Sequence, residues 1–174
     1  MIAQIWGRLW QGIQVLTAWL RPVRDDLAQQ YLSIAEFALF MQMPRPDRQH
    51  HLRVLADLLK QGHQHPALLK AALLHDVGKS RYPFRLPEKT LVVLVKNFLP
   101  GKFRTWSQSP PQGWKRPFVI SAHHPAWSAE MAAAAGMEVL PLELIARHQE
   151  KLKAAPQTEA DQLLLLLQAA DDRS

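Results

Sequence analysis

The chain has 174 residues, 48% of them hydrophobic and 21% charged, which suits one packed domain with an appended element and excludes a disordered polyelectrolyte. It contains no cysteine, so disulfides and thiolate metal sites are excluded, any metal ligand must be His, Asp or Glu, and a reducing cytoplasm is the expected compartment. Net charge is +6, yet residues 79–116 hold nine basic side chains against Glu88 alone; a positive field this concentrated attracts polyanions, whether a nucleotide or a nucleic acid.

With seven glycines, few β-branched residues and abundant Ala, Leu and Gln, the composition predicts an all-α fold. Residues 2–20 read as an amphipathic helix. Ile2, Ile5, Trp6, Leu9, Trp10, Ile13, Leu16 and Leu20 share one face and Gln4, Arg8, Gln11 and Gln14 the other. Polar interruptions exclude a transmembrane span, and no signal-peptide pattern is present. The apolar face is expected to dock on the domain or on a second copy, which makes a homo-oligomer through this helix one expectation. The three tryptophans at 6, 10 and 19 keep a membrane surface as a lesser one. After Arg21-Pro22, Asp25 or Asp26 caps a second helix running to about Met41, with Leu27, Tyr31, Ile34, Phe37 and Phe40 as its buried stripe. Pro44 and Pro46 end this N-terminal pair and divide the chain into residues 1–44 and 45–174.

Asp47 is expected to cap a third helix whose inner face is Val54, Leu55, Leu58 and Leu59, with His50 or His51 able to point inward. His63 and His65 fall in a turn and are expected in solvent. Pro66 starts an apolar helix ending at His75-Asp76, with Gly78 as its stop and Lys79 just beyond. A helix is expected from Pro87 to Leu99, followed by a long loop from Pro100 to Pro117 of the kind that covers sites. The next helix begins near His123-His124-Pro125 and ends at Gly136, with small residues such as Ser128 and Ala132 permitting close packing. Pro141 opens a helix carrying Ile145 and His148. Thr158 to Asp161 resembles a capping box for a last, leucine-rich helix ending in Ala170-Asp171-Asp172.

Five helices therefore each offer a His or Asp near an end or on an inner face: His50 or His51, His75-Asp76, His123 or His124, His148, and Asp171. Imidazole and carboxylate together suit Mn, Fe, Co or Zn rather than Ca. Four histidines and two aspartates can hold two divalent ions and leave the site cationic, which favours phosphate and allows water to be activated beside a phosphoryl oxygen.

The sequence Ala71-Ala72-Leu73-Leu74-His75-Asp76-Val77-Gly78-Lys79, with an upstream histidine and a late aspartate, resembles the HD-domain metal-dependent phosphohydrolase superfamily over roughly residues 45–174. The resemblance implies an HD helical bundle preceded by the amphipathic pair. A family histidine four residues before a valine selects His50. A later histidine four before a small residue selects His124 over His123, one three after an isoleucine matches His148, and an Ala-Asp ending matches Asp171 better than Asp172. The implied metal ligands are thus His50, His75, Asp76, His124, His148 and Asp171, with Asp76 joining two divalent ions, Fe or Mn favoured and Co, Zn or Mg compatible. The pattern is similar to HD hydrolases of dinucleoside polyphosphates and to cyclic-dinucleotide phosphodiesterases. The Gly-Tyr-Pro signature of one cyclic-di-GMP group is absent, and His148-Gln149-Glu150 replaces the usual later-histidine sequences, so neither substrate carries over.

The expected activity is attack of a metal-bridging hydroxide on a phosphate ester or anhydride in a nucleotide-like substrate. Asp76 and Lys79 are the catalytic expectation, and Lys79, Arg81 and Arg85 the phosphate contacts. The rivals are a module that binds or senses a nucleotide without turnover and, less favoured, a nucleic-acid binder using residues 79–116.

Overall fold

A computed structural model describes residues 23–152 and 154–174; the expected helix over 2–20, with its oligomer or membrane role, lies outside the described residues. Among the described residues there are nine α-helices and no strand, as the composition predicts. They are α1 (Asp25–Gln29), α2 (Ile34–Phe40), α3 (Arg45–Lys60), α4 (Pro66–Leu74), α5 (Leu86–Phe98), α6 (Pro100–Ser107), α7 (Arg116–Ala134), α8 (Val139–Arg147) and α9 (Glu159–Arg173). Short 3-10 turns at Val77–Arg81 and Gly113–Lys115 lead out of α4 and into α7.

The bundle is organised on α4. Its Ala67, Leu68, Leu69, Ala71, Ala72, Leu73 and Leu74 are all buried, because α3, α8 and α9 pack around it. Fully burying each leucine contributes about 2 kcal/mol before conformational entropy is set against it. The same core takes in Ala28, Leu32, Leu39, Phe40 and Met43 from α1, α2 and their connections. A bidentate ion pair, Arg48 Nε and Nη2 to the two Asp25 oxygens at 3.0 and 3.2 Å, and the buried Glu36 on Lys70 Nζ at 3.0 Å tie these elements to α3 and α4.

Several expected elements differ. The helix expected over 25–41 is two helices, because Ser33 and Glu36 form a reciprocal capping box that starts α2 anew. Ile34, placed on the buried stripe, is exposed at the resulting N-terminus. Pro44, not Asp47, is the N-cap of α3, with Pro46 in its first turn where a missing N–H costs nothing. His65 is half-buried and caps α4, its Nδ1 accepting from Ala67 N–H at 3.2 Å; His63 is also half-buried rather than in open solvent.

The loop expected over 100–117 is mostly helical. Pro100 opens α6, and Phe103 and Trp106, one turn apart, pack with Phe84 on a second small core of Val92, Val95 and Phe118. The basic segment is thus a packed pair of helices, α5 and α6, laid against α7. Helix α7 itself begins at Arg116, with Pro125 in its interior, so His124 lies mid-helix instead of opening one. Gly136, at φ +83°, ends that turn as expected. Thr158 and Asp161 do form the capping box of α9, but the leucine run is not buried all round, since Leu165 is exposed.

Candidate metal centre

Helix α4 ends in His75, still helical, and Asp76 turns at φ −108°, ψ 4° into the 3-10 turn, whose Lys79 N–H donates to the Asp76 carbonyl at 2.9 Å. That sharp exit needs room against α7. The Gly78 N–H donates to Ser128 Oγ at 2.8 Å, and a Cβ on Gly78 would lie 2.5 Å from the His124 carbonyl oxygen. Gly78 is therefore required for close approach to α7; its φ is not positive, so it is not a left-handed helix stop.

Four elements converge on the carboxylate of Asp76. Its Oδ1 lies 3.0 Å from His124 Nε2 on α7 and 3.3 Å from His148 Nε2 at the end of α8, and those two nitrogens are 3.2 Å apart. Its Oδ2 lies 3.8 Å from His75 Nε2 and forms an ion pair with Lys79. The same His75 nitrogen is approached by Asp171 of α9, whose Oδ1 lies 3.5 Å from His75 Nε2 and 2.8 Å from His50 Nε2 of α3. The donor atoms form three groups, each mutually within 4.8 Å: His50, His75 and Asp171; Asp76, His124 and His148; and His51, His75 and Asp76. All six residues singled out as ligands are thus brought together. His123 is turned away, its Nε2 donating to the Ser107 carbonyl at 3.0 Å and its ring stacking on Trp127.

The imidazoles are held in one common way. His75 Nδ1–H donates to the Ala72 carbonyl (3.2 Å), His124 Nδ1–H to Ile120 (3.0 Å) and His148 Nδ1–H to Ile145 (2.7 Å), each bond running to the preceding turn of its own helix. Every ring therefore presents its Nε2 lone pair inward, the tautomer a metal ligand needs. The Gln149 amide, 3.3 Å from His124 Nε2, is consistent with an acceptor at that atom.

Without a cation the arrangement is unsatisfied. His75 Nε2, His51 Nε2 and Asp76 Oδ1 are buried without a well-formed hydrogen bond, and two lone pairs face each other and a carboxylate oxygen. Orphaned buried acceptors cost about 1–3 kcal/mol each, so the donor set fits divalent ions and fits little else.

Charge reinforces this reading. Burial alone would raise the Asp76 carboxyl, yet Lys79, His75 and His124 hold it well below the usual range. Burial likewise opposes ionisation of Asp171, and the hydrogen bond from His50, with the nearby His75, overcomes it. Burial, with the charge of Lys79, pushes His124 down to about 4, so this imidazole is neutral and ready to ligate at ordinary pH. His75 moves the other way: burial lowers it, but the neighbouring Asp76 and Asp171 anions raise it above its ordinary value.

The residues expected on phosphate are placed less uniformly. Lys79 is at the centre, on Asp76. Arg81 is turned to Glu130 (2.9 Å) and lies over the Trp127 ring, and Arg85 is an exposed N-cap of α5. Lys96 of α5 is held below its ordinary value by burial and by the charges of Lys79 and Lys151. Lys151 lies outside the basic segment, in the connection after His148, and no local pattern marks it. That connection is fixed by Gln168, whose amide donates to the His148 and Glu150 carbonyls at 2.9 and 2.7 Å.

A family model described as the HD domain matches residues 48–174, most of the chain, and the protein belongs to that family. HD domains bind divalent metals and are generally metal-dependent phosphohydrolases. No curated protein and no solved structure gives a significant match. Among the described residues no helix is long and apolar enough to cross a membrane.

Proposed function

We propose, for this HD-domain chain, hydrolysis of a phosphate ester or anhydride in a nucleotide-like substrate, with two divalent ions held by His50, His75 and Asp171 and by Asp76, His124 and His148. The observation that carries the reading is the division of one carboxylate: Asp76 Oδ1 faces His124 and His148 while Oδ2 faces His75, so a single residue serves both groups. Divalent ions bound there supply Lewis acidity, which acidifies water and withdraws charge from a phosphoryl oxygen.

The protein's own residues do the rest. The Nδ1 bonds fix the ring planes before any ion arrives, so little reorganisation accompanies loading. Lys79, half-buried on Asp76, is poised to exchange part of that ion pair for a phosphoryl oxygen, and Lys96 adds positive potential near it. A cleft of about 210 Å³ opens beside Lys79 and is lined by Asp47, Ser80, Tyr82 and Phe84. Two aromatic walls next to a cation suit a base and its phosphate better than an inorganic anion, which supports a nucleotide-like substrate.

The test is phosphate release from a panel of nucleotides, dinucleoside polyphosphates and cyclic dinucleotides, with Mn, Fe, Co, Zn or Mg supplied to chelator-stripped protein. Turnover of at least one substrate, lost in Asp76→Ala with helicity retained, is expected. Saturable nucleotide binding with no turnover under any metal would replace the reading with that of a sensor module.

A further inference from the structure

His51 is used by none of the roles above, yet it is completely buried, and it is held as the other inward imidazoles are. Its Nδ1–H donates to the Asp47 carbonyl one turn back at 2.6 Å, the same device that fixes His75, His124 and His148. The bond assigns the tautomer, because a carbonyl only accepts; His51 Nε2 is left as a lone pair with no hydrogen-bond partner. That lone pair is not aimed at apolar side chains. A nitrogen of this ring lies within 4.8 Å of a His75 nitrogen and a carboxylate oxygen of Asp76, and the His51 and His75 ring centroids are 4.6 Å apart. Two imidazole nitrogens and an anion held together away from water are stabilised by a cation between them.

His50, its neighbour, is held differently. It is partly exposed, and its Nε2 meets Asp171 Oδ1 at 2.8 Å. Consecutive residues on a helix point about 100° apart, and both rings reach His75 because α3 packs against α4, which leads into His75, and α9, which carries Asp171.

We propose that His51 is a seventh metal ligand, joining His75 and Asp76 around the ion that His50 and Asp171 also approach. This rests on the two-ion reading above and makes the two positions unequal. The first would take five protein groups (His50, His51, His75, Asp76 and Asp171), whereas the second would take three (Asp76, His124 and His148), which would leave more positions for water or substrate. Closed coordination holds an ion and open coordination admits a substrate, so the first ion is the resident one and the second the exchangeable one.

The experiment uses the full chain, stripped of metal and titrated with Zn(II), with metal content measured after dialysis against a graded chelator. Wild type is expected to retain one ion against chelator concentrations that remove the other. His51→Leu, which fills the space with an apolar side chain and relieves the orphaned nitrogen, is expected to lose that resistant ion with an affinity loss above about 100-fold, more than a supporting residue costs. His63→Leu, away from the site, is the control and is expected to match wild type. A direct readout needs no variant: in long-range ¹H–¹⁵N spectra of wild type, the His51 Nε2 resonance is expected to move on Zn(II) loading while Nδ1 stays protonated. An unmoved His51 Nε2 in protein that does take up two ions, or undiminished retention in His51→Leu, overturns the seventh ligand and leaves the two-ion reading standing. Wild type that takes up no ion overturns both.

Discussion

Replacing Gly78 by alanine tests whether the site depends on the approach of the 3-10 turn to α7. The added Cβ would lie 2.5 Å from the His124 carbonyl oxygen, 2.7 Å from Ser128 N and 2.9 Å from Ser128 Oγ. Ordinary contact begins near about 3.4 Å, and two of the three atoms are backbone of a 19-residue helix, so no side chain can swing aside to make room. Forcing the turn outward costs roughly 1–3 kcal/mol in overpacking. It also stretches the Gly78–Ser128 hydrogen bond, leaving a buried N–H at a cost of about 1–3 kcal/mol. The entropy gained by removing a glycine from the unfolded chain returns only about 0.4–1 kcal/mol. A net loss of about 3 kcal/mol follows, a large share of a typical 5–15 kcal/mol stability. At about 2–4 °C per kcal/mol for a chain of this length, the melting temperature should fall by about 6–12 °C. Urea denaturation should move the midpoint with little change in slope. Ser128→Ala alone should cost about 1–3 kcal/mol, and the double variant should not be rescued, because the His124 carbonyl still blocks the Cβ. A Gly78→Ala protein within about 1 kcal/mol of wild type, or one restored by Ser128→Ala, would refute the reasoning.

Three further outcomes are expected. Lys70→Met removes the cation that Glu36 meets at 3.0 Å inside the core, and leaving that carboxylate to the Ser33 cap alone should cost about 3 kcal/mol in urea unfolding, with Glu36→Gln milder. Asp161 is held down to about 2, chiefly by its hydrogen bond from Arg147 and then by the Gln157 N–H. Its folded value lies below the unfolded one near 3.9, so it stabilises the fold above about pH 4 and loses that contribution as pH falls toward 2. The melting difference between wild type and Asp161→Asn should therefore shrink over that window, and a difference independent of pH would contradict it. Finally, Asp76→Asn should abolish uptake at the His124–His148 position and leave Lys79 without its anion. Metal analysis showing two retained ions would count against a shared carboxylate.

What the sequence made legible is what depends on a single element. The end of α4 at His75-Asp76, the capping box of Thr158 with Asp161 and the span of α5 all follow from propensity and local hydrogen bonding, and each is found within a residue or two. The errors arise where two local signals compete. The stripe of Leu27, Tyr31 and Phe37 reads through the Ser33–Glu36 box, although the box is the feature that starts a new helix. Pro100 and Pro125 read alike as punctuation, but the first opens α6 at a position where its missing N–H is harmless. The second sits inside α7, where the buried side chains of Phe118, Val119 and Ile120 before it and Ser128 and Ala132 after it offset a lost bond of about 3 kcal/mol.

The site divides in the same manner. Order along the chain brought out His75, Asp76, His148 and Asp171, because each closes a helix and helix ends are visible locally. His50 and His51 are different: they are adjacent on α3, both next to its apolar stripe, and helical periodicity alone does not distinguish them. The distinction comes from 121 residues away, where the last turn of α9 sets Asp171 against His50, while His51 bonds its own Asp47 carbonyl and lies against His75 and Asp76. The resemblance selects His50 alone, and the fold brings both rings near His75. Each has a place, one on the exposed rim beside Asp171 and one in the interior beside Asp76. Under the two-ion reading, the unequal surroundings of the two positions follow from that adjacency.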